Sequence, residues 1–240
     1  MKIEFLKGVA TGNDFVFIED KGFDTDWDRL AKTVLHRKKG VGGDGLLVLS
    51  RLAEGYKMRI FNPDGSEPEF CGNGARLVVL YLKNTGMEEI VFYSKAGRHR
   101  GRMRDTPEVE MPEGRIERKV DDGVIVRAGV PHLVVEVEDV DNIDVVSEGR
   151  KLSKKYGVNV DFFEGREKCR IRTYERGVED ETESCGSGVA SVYLYLHEKY
   201  GIKKMEAETK GGMLTAWMEE KVWIKGEARF VFKGEMEVSL

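Results

Sequence analysis

The chain has 240 residues, a formal net charge of −4 and 40% hydrophobic residues. This is enough apolar material for one large domain or for two lobes of ordinary size. The acidic balance gives no support for binding to nucleic acid. The sequence contains no apolar run long enough to span a bilayer and no signal peptide, so we expect a cytoplasmic protein without membrane contact. Three cysteines, one of them necessarily unmatched, fit reduced thiols better than a disulfide framework.

Side-chain amides are scarce in this sequence. Charged residues make up 34% of the chain and glutamine is absent, a composition similar to that of hyperthermophile proteins. Four of the six asparagines, Asn13, Asn62, Asn73 and Asn159, lie in Gly-rich segments. An amide that is otherwise avoided but is kept in such loops indicates a hydrogen-bonding role there.

The first half of the chain predicts several strands and two helices. Alternating apolar residues over 2–19 predict two strands broken by a Gly-containing loop. An amphipathic helix follows at 27–35, with Asp24 or Thr25 as its expected cap. A second helix begins after Cys71 and is apolar nearly all round, so it should be buried. Further strands are predicted at 45–52, 57–61, 90–94 and 98–103, before a polar stretch.

The second half repeats this order of elements. A strand at 124–137, with a turn at 129–132, precedes a helix at 145–155. A second buried helix begins after Cys185, and Cys169 is expected in the core of a strand. The remaining strands are predicted at 160–163, 169–174, 205–209, 213–218, 222–225, 229–233 and 235–238.

The two halves also share motifs. Cys71 begins the sequence Cys-Gly-Asn-Gly and Cys185 begins Cys-Gly-Ser-Gly, each followed by an apolar helical run. Three other segments match in the same order: 40–46 with 157–163, 59–62 with 172–175, and 94–97 with 209–212. Ordered matches at a near-constant offset indicate an internal repeat.

We therefore predict an α+β fold with two pseudo-symmetric lobes. Each lobe should be a curled, mostly antiparallel and barrel-like sheet around a central buried helix. The predicted lobes are 1–113 and 114–234, and the last strand at 235–240 is a candidate to rejoin the first lobe. With one thiol in each lobe, a site in the cleft between them is expected, because ligand sites often lie there.

Two thiols at helix starts suggest acid–base chemistry. Unpaired N–H groups at a helix N-terminus favour negative charge and lower the pKa of a thiol from about 8.5. One thiolate can remove a proton from a carbon while the other thiol donates one to the opposite face, which inverts a stereocentre. The backbone N–H groups of Gly72, Asn73, Gly186 and Ser187 can bind the carboxylate where charge develops. No Schiff-base lysine is recognisable and the four histidines are scattered, so we expect neither a cofactor nor a metal.

The motifs closely resemble those of the diaminopimelate epimerase family. The resemblance runs from about Phe5 to Gly212. It rests on residues 12–15 (GNDF), 59–67 (RIFNPDGSE), 71–76 (CGNGAR), 174–179 (YERGVE), 181–182 (ET) and 185–188 (CGSG). It implies a fold of two barrel-like lobes and the cofactor-free interconversion of LL- and meso-2,6-diaminopimelate, on the route to lysine and, in bacteria, to peptidoglycan.

The resemblance also implies roles for individual residues. Cys71 and Cys185 match the two catalytic thiols, and His132 with Glu175 matches groups that tune the thiol pKa values. Some family members have Asn where this chain has Val130, and Gln where it has Gly45, so two polar contacts to the substrate are missing. The residues matched to substrate binding are Asn13, Asn62, Gly72, Asn73, Asn159, Glu175, Arg176, Gly186 and Ser187.

Several alternatives stay open at this point. Free cysteines are often buried structural residues, and Asn62 and Asn73, each taken alone, are equally well explained as turn residues. A proline or hydroxyproline racemase-like enzyme would use a similar thiol pair but would not need Glu175, Arg176 and several Asn residues to bind a second amino-acid centre. A thiol redox switch or an amino-acid-binding protein without turnover is a further alternative. The sequence does not decide whether the protein forms a homodimer.

Overall fold

The computed structural model describes residues 2–83 and 86–237. The chain divides into two compact units. The first comprises Met1–Val109 and Glu227–Leu240, and the second comprises Glu110–Gly226. The bounds expected from sequence, 113 and 234, lie four and eight residues further along the chain than these bounds.

The described residues form four α-helices and seventeen strands. The helices are α1 (Trp27–Val34), α2 (Gly72–Leu82), α3 (Val145–Tyr156) and α4 (Gly186–Tyr200). No helix within residues 2–83 and 86–237 is long and apolar enough to cross a membrane. The strands are β1 (Lys2–Ala10), β2 (Asn13–Asp20), β3 (Gly45–Arg51), β4 (Tyr56–Phe61), β5 (Ile90–Ser94), β6 (Gly97–Met103), β7 (Pro107–Glu110), β8 (Gly114–Val120), β9 (Gly123–Ala128), β10 (Val130–Glu136), β11 (Asn159–Gly165), β12 (Lys168–Glu175), β13 (Asp180–Thr182), β14 (Lys204–Thr209), β15 (Gly212–Met218), β16 (Val222–Gly226) and β17 (Ala228–Glu237).

The sheet of the first unit curls around α2. From its C-terminal strand the order is β17, β1, β2, β3, β4, β5 and β6, with parallel pairs at β2–β3 and β4–β5 and antiparallel pairs elsewhere. Leu77 and Val79 of α2 are fully buried. A Cβ on Gly101 would lie 2.2 Å from Cγ2 of Val79, and one on Gly8 would lie 2.8 Å from Cδ2 of Leu77. Glycine at these two positions lets the strands approach the helix closely.

The centre of strand β2 is apolar at every position because both of its faces are covered. Phe15 and Phe17 face the α2 side of the sheet, whereas Val16 and Ile18 pack with α1 on the other side. Successive side chains of a strand point to opposite faces, so a strand covered on both faces needs an unbroken apolar run. Helix α1 contributes Trp27 to this second layer.

The second unit has the same organisation around α4. Helix α4 contacts β8, β9, β10, β11, β15 and β16, and its Val189, Val192 and Leu196 are fully buried. Strands β10 and β11 are parallel, as are β12 and β14, and the other pairs are antiparallel. Helix α3 covers the outer face, where its Leu152 packs in the same cluster as Phe162. The prediction of two curled, mostly antiparallel sheets, each around a buried helix, is confirmed.

Several details of the predicted elements were wrong. Asp26, not Asp24 or Thr25, caps α1, because its side chain accepts from the backbone N–H of Arg29. The predicted turn at 129–132 contains only Gly129, whose φ of 84° makes the reversal in one residue, so His132 lies in β10. The two predicted final strands form the single strand β17, and β7, β8 and β13 were missed in polar sequence.

We predict that Leu77→Ala destabilises the protein much more than Leu52→Ala. Leu77 is fully buried against the sheet and Leu52 is 40% exposed. Truncating a buried leucine typically lowers the free energy of unfolding by about 2–5 kcal/mol, and an exposed one by about 0.5 kcal/mol or less. Urea unfolding followed by circular dichroism would measure both, and equal effects would contradict the central position of α2.

Candidate active site

Both motif cysteines occupy the same position relative to a helix. Cys71 is the N-cap of α2, with φ −140° and ψ 114°, and Cys185 is the N-cap of α4, with φ −124° and ψ 109°. Both residues thus have extended backbone and directly precede the first helical residue. The Sγ atom of Cys71 accepts from the backbone N–H of Gly74 at 3.4 Å. All three cysteines are free, and Cys169 is buried in β12, as predicted.

In the first unit, the asparagine of the motif joins the start of α2 to the start of β2. Asn73 is buried, and its Nδ2 donates to Oδ1 of Asn13 at 2.7 Å. Its Oδ1 accepts from the guanidinium of Arg76 at 2.9 Å. Asn13 and Asn73, which are distant in sequence, are therefore direct neighbours, and both lie beside the start of α2.

Arg76 is a fully buried cation one turn into α2. Its guanidinium also donates to the carbonyl of Gly72 at 3.5 Å and to the hydroxyl of Thr11. Burial lowers the pKa of Arg76 to about 10, while the charge of the Cys71 thiolate acts in the opposite direction. Arg76 and the anionic form of Cys71 therefore stabilise each other.

A cluster of charged side chains fixes the position of Asn13. The Nδ2 of Asn13 donates to Asp44 at 3.2 Å, and Asp44 forms an ion pair with Arg37 at 2.7 Å. Asp14 is paired with both Arg37 and Lys7. Burial alone would raise the pKa of Asp14, but hydrogen bonds from Arg37 and Lys7 outweigh it and hold the pKa at about 2. Asp14 therefore stays ionised at neutral pH, and its ion pairs fix the β1–β2 turn.

Asn62 and Gly45 do not join this network. The Nδ2 of Asn62 donates to the hydroxyl of Ser66 at 3.0 Å, within the turn that follows β4. Gly45 is buried at the start of β3, where a Cβ would lie 2.8 Å from Cδ1 of Ile60. A longer residue at position 45 would therefore have to displace core side chains in this chain.

In the second unit, a row of hydrogen bonds leads away from the thiol. The Sγ of Cys185 lies 3.3 Å from Oγ of Ser187, which lies 2.9 Å from Nε2 of His132. The Nδ1 of His132 lies 2.7 Å from Oδ2 of Asp161, and both of these side chains are fully buried. The structure thus brings His132 next to the helix start that carries Cys185.

Cys185 and Glu175 share an environment that disfavours negative charge. Burial, together with the charges of Glu175 and Asp161, raises the pKa of Cys185 well above its ordinary value. Desolvation also raises the pKa of Glu175, against the opposing effects of a hydrogen bond from Thr182, the positive charge that His132 carries when it is protonated, and a hydrogen bond with Cys185. The hydroxyl of Thr182 donates to Oε1 of Glu175 at 2.8 Å. These surroundings favour the protonated thiol of Cys185.

Asn159 and Arg176 are also joined. The Oδ1 of Asn159 accepts from the backbone N–H of Arg176 at 2.9 Å, and its Nδ2 lies 3.4 Å from Nε2 of His132. The guanidinium of exposed Arg176 donates to the carbonyl of Gly157 at 2.8 Å. Val130, at the start of β10, is 38% exposed.

Sequence reasoning missed Arg76 and Asp161 as neighbours of the thiols. Each was visible as a charged residue inside an otherwise apolar element: Arg76 in α2, and Asp161 between Val160 and Phe162 in β11. A charge buried among apolar residues requires partners, so it marks a polar network. That signal shows that a network exists, but not which residues complete it.

Sequence matches to known proteins cover nearly the whole chain. The sequence model of the diaminopimelate epimerase family matches residues 5–122 and 124–231. The diaminopimelate epimerase of Thermotoga maritima is 37% identical over 236 residues, which are 92% of this chain and 96% of that protein. The enzyme of that name from Methanopyrus kandleri is 34% identical over 249 residues, which are 98% of this chain and 89% of that protein.

Solved structures share the fold at much lower identity. A phenazine biosynthesis protein of the PhzF family from Enterococcus faecalis superposes with a TM-score of 0.78 at 17% identity, covering 99% of this chain and all of that one. A hydroxyproline epimerase from Agrobacterium vitis superposes with a TM-score of 0.76 at 13% identity, covering 98% and 92%. These structures establish the architecture, and the sequence matches define the family within it. The chain belongs to the diaminopimelate epimerase family.

Proposed function

We propose that this chain interconverts LL- and meso-2,6-diaminopimelate in lysine biosynthesis, without a cofactor, by a two-base thiol mechanism. The observation that carries the proposal is the pair of cysteines that cap two equivalent buried helices in a full-length family member. Such an enzyme acts in the cytoplasm, where its thiols stay reduced. Its partner is the amino-acid substrate.

Inversion at an α-carbon requires a base on one side of the carbon and an acid on the other. One thiolate removes the α-proton, and the electron pair of the broken C–H bond moves into the adjacent carboxylate. The other thiol then donates its proton to the opposite face of the same carbon. The carboxylate gains charge during the step, and the backbone N–H groups of Gly72, Asn73, Gly186 and Ser187 are suited to bind it, because helix N-termini stabilise anions.

The surroundings of the two thiols favour one resting state. Arg76, the buried cation, lies near Cys71 and favours the thiolate there. Cys185 is buried beside the carboxylates of Glu175 and Asp161, which favour the thiol. In the first half-reaction Cys71 is therefore the base and Cys185 the acid, and after that step the two thiols have exchanged roles.

Recognition of the second amino-acid centre distinguishes this proposal from a proline racemase-like reaction. Arg176 is exposed and can bind a carboxylate, while Glu175 can pair with an ammonium group. The amides of Asn13, Asn62, Asn73 and Asn159 supply orienting hydrogen bonds. The hydroxyproline epimerase mentioned above shares the fold only, at 13% identity, so it does not support a proline substrate.

Strand β17 offers a surface for self-association. Val231 and Phe232 are 53% and 50% exposed on this ten-residue strand, and the ring of Phe232 packs edge-on against Phe5. Adjacent exposed apolar side chains on a strand favour contact with another apolar surface. We propose a homodimer that buries this pair.

We predict that Cys71→Ala and Cys185→Ala each abolish inversion of diaminopimelate. Removing either acid–base group should lower the rate by roughly 10²–10⁴-fold or more. In deuterated water, mass spectrometry should find solvent deuterium at one α-carbon with the wild-type enzyme only. Cys169→Ala is the matched control and should retain activity, because Cys169 is a core residue whose pKa is raised to about 12 by burial. Labelling of proline without labelling of diaminopimelate would contradict the assignment.

We predict that Arg76→Met slows alkylation of Cys71 by iodoacetamide at pH 7. Loss of a nearby cation lowers the thiolate fraction, and the expected decrease in rate is roughly tenfold. Peptide mass spectrometry would measure alkylation at each cysteine separately. Arg76→Lys keeps a positive charge and should recover part of the rate. An unchanged rate in Arg76→Met would show that Arg76 does not set the ionisation of Cys71.

We predict that Phe232→Glu produces a monomer in light scattering coupled to size-exclusion chromatography. A buried carboxylate without a partner disfavours association. Val178→Glu is the matched control, because Val178 is 58% exposed in the other unit and should leave the oligomer unchanged. A wild-type chain that is already monomeric at micromolar concentration would refute the dimer.

A further inference from the structure

A hydrogen-bonded row behind Cys185 ends on a carboxylate that the proposed mechanism does not use. Asp161 is fully buried in β11 and contacts the Nδ1 of His132 at 2.7 Å. Its other oxygen accepts from the hydroxyl of Thr173 at 2.8 Å. A Cβ on Gly188 would lie only 2.3 Å from that oxygen, so the first turn of α4 packs directly against it. The carboxylate is therefore fixed on three sides.

This placement sets the tautomer of His132. An ionised carboxylate only accepts, so the Nδ1 of His132 carries the proton and donates it to Asp161. The Nε2 of the neutral ring is then an acceptor, and the Ser187 hydroxyl, 2.9 Å away, donates to it. The oxygen of Ser187 is left with free lone pairs and accepts from the thiol of Cys185, 3.3 Å away. Every donor in the row points away from Cys185 toward Asp161.

We propose that Asp161 is a positioning residue of a proton relay, through His132 and Ser187, that converts Cys185 between its thiol and thiolate forms. In the forward sense, the S–H bond of Cys185 breaks as a new O–H bond forms on Ser187. The former O–H bond of Ser187 breaks as an N–H bond forms on Nε2 of His132. The products are a thiolate and an imidazolium, no atom leaves the row, and no other reactant is needed.

The reversed row is also fully hydrogen-bonded. The imidazolium donates from Nε2 to Ser187, and the hydroxyl of Ser187 turns to donate to the Cys185 thiolate. Asp161 accepts from Nδ1 in both forms, and its negative charge stabilises the imidazolium. A reversible two-base enzyme needs Cys185 as an acid in one direction and as a base in the other, and the two polarities of the row match these two states.

Glu175 is the alternative proton acceptor for Cys185. Desolvation raises the pKa of its carboxyl group, which favours its protonated form, and its Oε1 already accepts from the hydroxyl of Thr182. The route to His132 differs because the transferred proton ends on a ring that Asp161 holds by hydrogen bond. Variants of Ser187 break the route to His132 and leave Glu175 in place, so they distinguish the two acceptors. Asp161, His132 and Glu175 are the titratable groups that face Cys185 in the second unit.

The inference rests on the proposed function, so its test has a part that needs no substrate. Nitrogen-15 NMR of labelled histidine reports the protonation of each ring nitrogen in the free enzyme, and His132→Gln assigns the His132 signal. The wild-type ring should carry its proton on Nδ1. In Asp161→Asn the amide can donate as well as accept, so the ring should shift to a mixture of tautomers or to the Nε2–H form.

The same variants are then compared chemically. In Asp161→Asn, catalytic turnover should fall roughly 10²–10³-fold with little change in KM. Loss of the Asp161 charge by itself lowers the pKa of Cys185, so thiolate formation is measured in Ser187→Ala, which breaks the row and keeps that charge. In Ser187→Ala, alkylation of Cys185 by iodoacetamide should slow roughly tenfold while that of Cys71 changes by less than about twofold. The control variant Asp122→Asn changes a carboxylate outside the row, which pairs with Lys155 and accepts from Tyr156, and should behave as wild type.

A second pair of variants guards against misfolding of Asp161→Asn. Ser187→Ala breaks the row without changing a buried charge and should reproduce the loss, whereas Ser187→Thr keeps a hydroxyl and should recover most of the activity. If Asp161→Asn folds and leaves the tautomer and the turnover unchanged, or if Ser187→Ala leaves the alkylation of Cys185 unchanged, the relay is wrong. If wild-type protein fails to turn over diaminopimelate but the tautomer and alkylation shift as expected, the relay stands and the proposed substrate falls.

Discussion

The site depends on the burial of two helices. At the N-terminus of each helix, a cysteine thiol and backbone N–H groups remain available for chemistry. Helices α2 and α4 are enclosed by their own sheets, so neither can shift along its axis without breaking a close-packed layer. Their N-termini therefore stay in place, and so do the cysteines that cap them. The packed apolar layers thus hold two sulfur atoms and a few backbone N–H groups in fixed positions. Acid–base chemistry at a weakly acidic carbon needs this kind of preorganisation.

The two cysteines have the same backbone geometry, but the charges around them are opposite in the two units. Beside Cys71 the buried partner is the guanidinium of Arg76, and beside Cys185 it is a pair of carboxylates. A shared dihedral pattern therefore does not give shared chemistry. The difference suits a reaction in which one sulfur must be charged and the other neutral at any moment, because two thiols of equal acidity would often be found in the same protonation state.

The sequence predicted the parts of this fold that have local signals. Periodicity found both buried helices, and the repeated motif placed Cys71 and Cys185 at their starts. Strands β7, β8 and β13 were missed because they lie in polar sequence, where alternation is weak. The contact of His132 with Asp161 joins residues 29 positions apart in parallel strands, so no pattern along the chain could predict it. The residue types of the site were predictable, whereas their pairing required the three-dimensional register.

The internal repeat allows equivalent positions in the two halves of the chain to be compared. Arg76 stands at the position that Ala190 occupies after the second motif, and Asp161 stands at the position that Asp44 occupies in the first half. Asp44 is 39% exposed on its side chain and bonded to Arg37, while Asp161 is sealed inside its sheet. Two identical halves arranged symmetrically would have given both thiols the same pKa. In a single chain each motif can instead carry its own buried charge, so that one sulfur favours losing its proton and the other favours keeping it.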